Sequence, residues 1–313
     1  VAAAAAGALA ACEGRLRLAV GDGVPEVAVP GADTLAAGGK RLRPLLVFCC
    51  SPTGADPGED LLRAAASVEL VHMATLVHDD LLDGATMRRG RTTVAAALGG
   101  DAAVQVGDFL FARAFAELAG AGVPDAVRVL AGAALDLSLG ELLQGRAAFD
   151  LALPEADYLE RVRRKTASLF AAACRLGAMV GGAGPEAQDR LAAFGENVGM
   201  AFQIFDDILD VAGAPAATGK RRGADLRDGT VTLPVIYALR AEPALAGDLR
   251  GAHDEGEIDV LCDRIAAHPG CAAARERALA YVAAARDALD GPLDGADGVA
   301  LGAIADGVVD RYS

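Results

Sequence analysis

The sequence predicts an all-α fold, and three observations carry that expectation. Apolar residues recur with the 3.6-residue period of a buried helix face from one end of the 313-residue chain to the other. No run alternates apolar and polar residues as a half-buried strand would. Hydrophobic residues make up 53% of the chain but aromatics only 4%, with no Trp, so the interior must be built from Ala, Leu and Val, the residues of closely packed helices.

Taken in order, the periodic segments are 3–20, 34–50, 59–83, 101–119, 125–148, 155–181, 186–212, 230–241, 257–267, 271–290 and 299–311. Asp101, Asp125 and Asp157 stand near helix starts, where a carboxylate complements the positive end of the helix dipole. Gly120-Ala121-Gly122 is a C-terminal stop. The Pro/Gly stretches Ser51 to Gly58, Gly181 to Pro185, Ala212 to Gly219 and Gly291 to Gly298 are short and punctuate helices rather than separate differently composed halves. The expectation is one domain, 1–313, a bundle of about ten or more helices around a central cavity, with its site built from side chains on facing helices.

Charge excludes several partners. The formal net charge is −14 and the pI about 4.7, so nucleic acid and anionic membrane would be repelled. No apolar run reaches the roughly 18 residues of a membrane span, and stable membrane insertion is not expected. The six Cys lack metal-type spacing and read as small buried thiols in a reducing, cytoplasmic setting. Leu9-Ala10-Ala11-Cys12 resembles a lipoprotein cleavage box, but without a basic stretch before it the segment reads as the start of an Ala-rich helix.

Against this background one acidic spelling occurs twice, 127 positions apart: Asp79-Asp80-Leu81-Leu82-Asp83 and Asp206-Asp207-Ile208-Leu209-Asp210. Positions i, i+1 and i+4 of a helix lie on one side, so each copy gathers three carboxylates. Like charges that close repel, and cations must share the site. Oxygen-only ligands suit Mg²⁺, which takes one or two protein carboxylates and completes its shell with water and phosphate oxygens. A single copy is equally a solvated helix face; two copies flanked by Leu, Ile and Val point instead to a diphosphate held through Mg²⁺.

Lysine usage adds a second signal. Of 29 basic residues three are Lys, namely Lys40, Lys165 and Lys220, and the rest are Arg. Positions that keep Lys in so Arg-rich a chain need a compact ammonium that a planar guanidinium cannot replace, unless they are compositional survivors. Lys40 stands in Gly38-Gly39-Lys40-Arg41-Leu42-Arg43-Pro44, a glycine turn leading into a cationic helix start that suits an anion. Lys165 precedes the hydroxyl of Thr166, and Lys220 follows Asp210 by ten residues.

These stretches, together with His78 before the first acidic motif, Met87-Arg88-Arg89-Gly90, Gly107-Asp108-Phe109-Leu110-Phe111, Phe202-Gln203, Asp225-Leu226-Arg227 and Thr232-Leu233-Pro234, occur in the order found in the trans-type isoprenyl diphosphate synthases. The chain resembles that family, the polyprenyl synthetases, over nearly its whole length. The resemblance implies an isoprenoid-synthase fold, a likeness to homodimeric enzymes, and an allylic diphosphate bound through three Mg²⁺ beside isopentenyl diphosphate. It implies Asp79, Asp83 and Asp206 as principal metal ligands, with Asp80, Asp207 and Asp210 as ligands or supports. Arg88, Lys165 and Lys220 would hold the allylic diphosphate, and Lys40, Arg43, His72 and Arg89 the isopentenyl diphosphate. Spacing agrees: His72 precedes Asp79 by seven residues and Gln203 precedes Asp210 by seven, each two turns along the same face. Gln203 and Thr166 would stabilise positive charge on the allyl carbons. One departure is Thr230, where the family commonly carries Lys, with Arg222 or Arg227 as possible replacements.

The product's tail must run away from the metals, so bulk upstream of Asp79 would limit its length. Ala74, Thr75 and Val71, and beyond them Val68 and Ser67, are not aromatic, and a helical turn advances about 5.4 Å, close to one extended isoprene unit. This predicts a product longer than twenty carbons rather than a farnesyl or geranylgeranyl diphosphate, with Phe111 or Phe115 as floor or ordinary core. A class I terpene cyclase would need neither a second Asp-rich copy nor the segment Gly39 to Pro44. A non-catalytic or regulatory subunit would have eroded carboxylates, and all six are present.

Overall fold

The computed structural model describes residues 5–54, 56–213, 222–252 and 254–310. About 77% of it is helical, in the all-α class the sequence predicts. In chain order the helices are α1 (Ala6–Gly21), α2 (Pro25–Ala36), α3 (Leu42–Cys49), α4 (Glu59–Leu82), α5 (Val94–Leu98), α6 (Gly100–Ala119), α7 (Pro124–Arg146) and α8 (Glu155–Val162). A π-helical turn, Arg163–Ala167, leads into α9 (Ser168–Val180) and α10 (Pro185–Ala212). Then come α11 (Ala224–Arg227), α12 (Leu233–Ala241), α13 (Leu245–Gly251), α14 (Glu255–Ala267), α15 (Pro269–Ala288) and α16 (Gly298–Asp310).

The starts follow local chemistry. Glu59 and Asp60 open α4, Asp101 opens α6, Asp125 opens α7 and Asp157 lies in the first turn of α8, all at the positive dipole end. α14 begins with a capping box in which the Asp254 side chain accepts from the Glu257 N–H and the Glu257 carboxylate accepts from the Asp254 N–H. Gly120 caps α6 where the Gly-Ala-Gly stop falls.

Three departures from the sequence reading have physical causes. Residues 34–50 are not one helix: Gly38 and Arg41 take positive φ values of 77° and 48°, breaking the chain between α2 and α3. α2 forms across two prolines because Pro25 occupies the first turn, where no N–H is needed, and Pro30 is buried with Gly31 and Leu35. Met87–Arg88 and Arg91–Thr92 pair as a two-residue antiparallel ribbon, too short to show alternation. Arg89 and Gly90 at its turn have φ of 51° and 75°, the conformation of a two-residue hairpin with the twist of its strands.

The chain packs as two compact units interleaved in sequence. The first comprises Val1–Ala134, Leu169–Ala192 and Gly291–Leu301. Its centre is α4, packed on α6, α3, α1 and α5. Leu61, Val68, Leu70, Val71 and Val77 of α4 are buried, each stabilising the unit by about 1.5–3 kcal/mol relative to exposure. The second comprises Leu135–Ser168, Ala193–Asp290 and Gly302–Ser313, with α12 packed on α15, α14, α13 and α8. All six Cys are buried and reduced. Among the described residues no helix is long and apolar enough to cross a membrane.

Candidate active site

Both acidic motifs fall in the final turns of their helices, Asp79–Asp83 at the end of α4 and Asp206–Asp210 at the end of α10, and neither helix has a basic residue in its last turn. That is the negative end of the helix dipole, where carboxylates are disfavoured and cations favoured. Each helix therefore carries an electrostatic cost that a divalent cation would relieve, which makes the oxygen donor set a fit for Mg²⁺. Among the described residues, no three His, Cys, Asp or Glu side chains are already gathered in metal-holding geometry.

In the first unit, Asp79 is half-buried and Asp83 exposed, while Asp80 is buried and its Oδ1 accepts from Arg88 Nε at 2.6 Å. The ribbon delivers Arg88 to that contact, and its turn carries Arg89, whose Nη1 donates to the Gly38 carbonyl. A Cβ on Gly39 would lie 2.8 Å from Arg89 Nη1 and 3.0 Å from Arg41 Nη1, so the two guanidinium groups pass close to the bare glycine backbone and would have to shift for a side chain there. Lys40 beside it is exposed. Arg41 faces inward: it pairs with Glu13, donates to Glu69 Oε1 at 2.9 Å and to the Leu35 carbonyl at 3.1 Å. It is a strut for the basic loop, a role the sequence reading missed. Arg43 lies with its guanidinium carbon 4.6 Å from the Phe170 ring centroid. Half-buried His72 is held neutral near pH 7, because loss of solvent and the neighbouring Arg43, Arg89, Arg88 and Arg41 all push its pKa well below the usual imidazole value. A neutral ring still offers one N–H donor to a phosphate oxygen.

The α4 face upstream of Asp79 carries small side chains. Ala74, Val71, Val68 and Ser67 are buried, and the Thr75 hydroxyl donates to the His72 carbonyl at 2.8 Å on its own helix. Phe111 and Phe115 are half-buried on α6, the helix packed against α4. Next to the acidic motif the His78 ring lies against α6 at Gly107, where a Cβ would come within 2.0 Å of His78 Nε2.

In the second unit, Lys165 and Thr166 sit in the π-helical turn, a wide turn often found at functional sites. Lys165 pairs with Glu141 of α7, and α7 comes close because Gly140 lacks a side chain: a Cβ there would lie 2.5 Å from the Lys165 N and 2.7 Å from its Cα. Thr166 Oγ1 donates to Gln203 Oε1 at 2.8 Å, and Gln203 Nε2 donates to Asp207 Oδ1 at 2.8 Å. Asp207 Oδ2 accepts from the hydroxyl of Tyr158 at 2.7 Å, so both of its oxygens are engaged by protein. Burial raises the Asp207 carboxyl to about 6 against the opposing pull of those two hydrogen bonds and Arg161. Asp206 is half-buried. Asp210 accepts from the N–H groups of Ala224 and Asp225, each at 3.1 Å, and so anchors the turn that opens α11. Burial, then the charges of Asp207 and Asp210, push Asp225 well above the ordinary carboxyl range. Lys220 lies outside the described residues. Arg222 is committed to Asp259 at 3.2 Å and Asp263 at 2.7 Å, which leaves Arg227, half-buried, as the cation nearest in sequence to Thr230.

Comparison with known proteins agrees with this chemistry. The polyprenyl synthetase family matches residues 25–261. The chain is 44% identical over 234 residues to heptaprenyl diphosphate synthase component 2 of Geobacillus stearothermophilus, covering 75% of this chain and 73% of that one. It is 38% identical over 282 residues to nonaprenyl diphosphate synthase of Mycobacterium tuberculosis, covering 88% and 84%. The crystal structure of a polyprenyl synthase from Caulobacter crescentus, complexed with calcium and isoprenyl diphosphate, superposes with a TM-score of 0.92 at 35% identity over 100% of this chain and 97% of that one. Fold, motif order and sequence identity together establish that the chain belongs to the polyprenyl synthetase family of prenyltransferases.

Proposed function

We propose that this enzyme joins isopentenyl diphosphate to an allylic diphosphate repeatedly, giving an all-trans polyprenyl diphosphate longer than twenty carbons. The observation that carries the length is the α4 face behind Asp79, where Ala74, Val71, Val68 and Ser67 set no aromatic barrier over three turns. The names of the hepta- and nonaprenyl relatives support it. The single-domain reading of 1–313 belongs to this proposal, since neither unit is continuous in sequence.

Asp79, Asp83 and Asp206 serve as principal Mg²⁺ ligands, with Asp80, Asp207 and Asp210 chiefly holding neighbouring groups in place. The calcium in the Caulobacter crescentus structure supports a divalent cation. Mg²⁺, when bound, supplies Lewis-acid neutralisation of the leaving diphosphate. Arg88, Lys165 and Lys220 bind the allylic diphosphate; Lys40, Arg43, His72 and Arg89 bind isopentenyl diphosphate. The allylic carbon–oxygen bond breaks with its electron pair leaving on diphosphate. The isopentenyl double bond attacks the allyl cation, and the proton then lost passes to the released diphosphate. Thr166 and Gln203 present oxygen lone pairs to the developing positive charge.

The test is mass analysis of products from purified enzyme given labelled isopentenyl diphosphate and each allylic starter from five to twenty carbons. Products above twenty carbons are expected; a fifteen-carbon end product would overturn the length, and no product with any starter would overturn activity of the chain by itself. The word "component" in the name of the Geobacillus relative favours a second reading, a heteromeric synthase, in which activity would appear only when another chain is added.

The homodimer is the favoured assembly, and the cytoplasm, where reduced thiols persist, the favoured compartment. Leu135 and Leu142 of α7, with 62% and 57% of their surface exposed, lie with Leu139 on one helical face, an apolar stripe suited to a second copy. Leu135→Glu with Leu142→Glu is expected to halve the mass measured by light scattering while leaving helicity unchanged. A dimer that persists in the double variant would place the interface elsewhere.

A further inference from the structure

We propose that Tyr158, which touches no substrate in the scheme above, is a positioning residue for the condensation: it fixes Asp207, through it the carboxamide of Gln203, and through that the hydroxyl of Thr166. The inference rests on the prenyltransferase reading.

The geometry is a continuous relay inside one packed unit. Tyr158 is fully buried, and its hydroxyl donates to Asp207 Oδ2 at 2.7 Å. Asp207 Oδ1 accepts from Gln203 Nε2 at 2.8 Å, and Gln203 Oε1 accepts from Thr166 Oγ1 at 2.8 Å. The order of donors matters. An ionised carboxylate only accepts, so a fixed Asp207 dictates which end of the Gln203 amide faces it. With Nε2 turned to Asp207, Oε1 faces Thr166, the hydroxyl proton points at Gln203, and the threonine lone pairs are left for positive charge. If Asp207 were free to rotate, the amide could turn over and place its N–H groups where oxygen is needed.

Two further contacts hold the start of the relay. The Arg161 guanidinium carbon lies 5.3 Å from the Tyr158 ring centroid, and Arg161 Nη2 donates to the Val231 carbonyl at 2.8 Å. The backbone contributes as well. Eight residues of ideal α-helix would leave Tyr158 and Thr166 about 80° apart around the axis. The π-helical turn between them, with its i→i+5 bonding, rotates less per residue and brings Thr166 back toward the face of Tyr158. On α10 the partners Gln203 and Asp207 are four residues apart, on one face.

The experiment is a double-mutant cycle on kcat with Tyr158→Phe and Thr166→Val, run after the wild type has been shown to make prenyl diphosphate. Tyr158→Phe is expected to lower kcat about 10-fold with KM for both substrates changed less than about twofold, the loss of one aimed hydrogen-bond chain. The double variant is expected to be no slower than the slower single, because either change breaks the same relay. Multiplicative losses in the double variant, or a Tyr158→Phe loss confined to KM, would overturn the proposal while leaving the prenyltransferase reading intact. An inactive wild type would overturn that reading first. Should Tyr158→Phe lose helicity, Arg161→Met, which frees the ring but keeps the hydroxyl, takes its place in the cycle with the same two outcomes.

Discussion

Asp79→Ala and Asp206→Ala are each expected to lower turnover by roughly 10³-fold or more, equivalent to about 4 kcal/mol of transition-state stabilisation, without loss of the fold. Lost turnover and a retained fold have one cause. Each carboxylate stands in the last turns of a helix, against the dipole, and near like charges. Removing one lowers the repulsion, so thermal unfolding of the metal-free variants is expected at or slightly above the wild-type temperature. Activity is expected to move the other way, because on the proposed assignment each variant loses a ligand for the cation that neutralises diphosphate. EDTA is expected to abolish wild-type turnover, and added Mg²⁺ to restore it. Rates near normal in either variant would remove the carboxylates from the centre of the chemistry, whereas a collapse of helicity would show them to be structural.

Ala74→Phe is expected to shorten the product to about fifteen to twenty carbons while preserving the first condensation. Ala74 is fully buried on the α4 face behind Asp79, and α6 packs against α4. A phenyl ring there occupies the bulk of one isoprene unit, roughly one turn or about 5.4 Å from the acidic end. The interior is already dense, so overpacking costs about 1–3 kcal/mol, and a modest drop in unfolding temperature should accompany the change. Thr75→Phe, at a half-buried neighbour, tests the adjacent line of approach with less disturbance of the core. Chain lengths from mass analysis decide the matter. An unchanged distribution in both variants would send the tail along another face.

Much of this was legible in the sequence, and the part that was not shares a physical character. Helix periodicity located α4, α6, α7 and α10 because each must bury one face, and the doubled acidic spelling needed no tertiary information. The break at Gly38 to Arg41 was half visible in its glycines; its left-handed Arg41 was not, because that conformation is held by Glu13 and Glu69, 28 residues away on either side. Two prolines hid α2, whose stability comes from burying Pro30, Gly31 and Leu35 rather than from propensity. Among the six carboxylates the sequence could not divide labour. Asp80 is taken up by Arg88, Asp207 by Tyr158 and Gln203, and Asp210 by two backbone N–H groups, all partners fixed by folding. Arg222 read as a spare cation and is occupied by Asp259 and Asp263. Tyr158 could have been noticed seven residues before Lys165, the two-turn spacing that singled out His72 and Gln203.

The close approaches at Gly107 and Gly140 bear on which changes this enzyme can accumulate. Neither glycine carries a functional group, yet a methyl at Gly107 would overlap the His78 ring beside Asp79, and one at Gly140 would overlap the backbone of Lys165. The ring can yield only by leaving its place, and the backbone can yield only by moving the π-helical turn that aims Lys165 and Thr166. A lineage could therefore keep every carboxylate, lysine and arginine intact and still lose the reaction through one added carbon at either position. Drift in this chain is constrained as much by where two helices must touch as by what its side chains can bind.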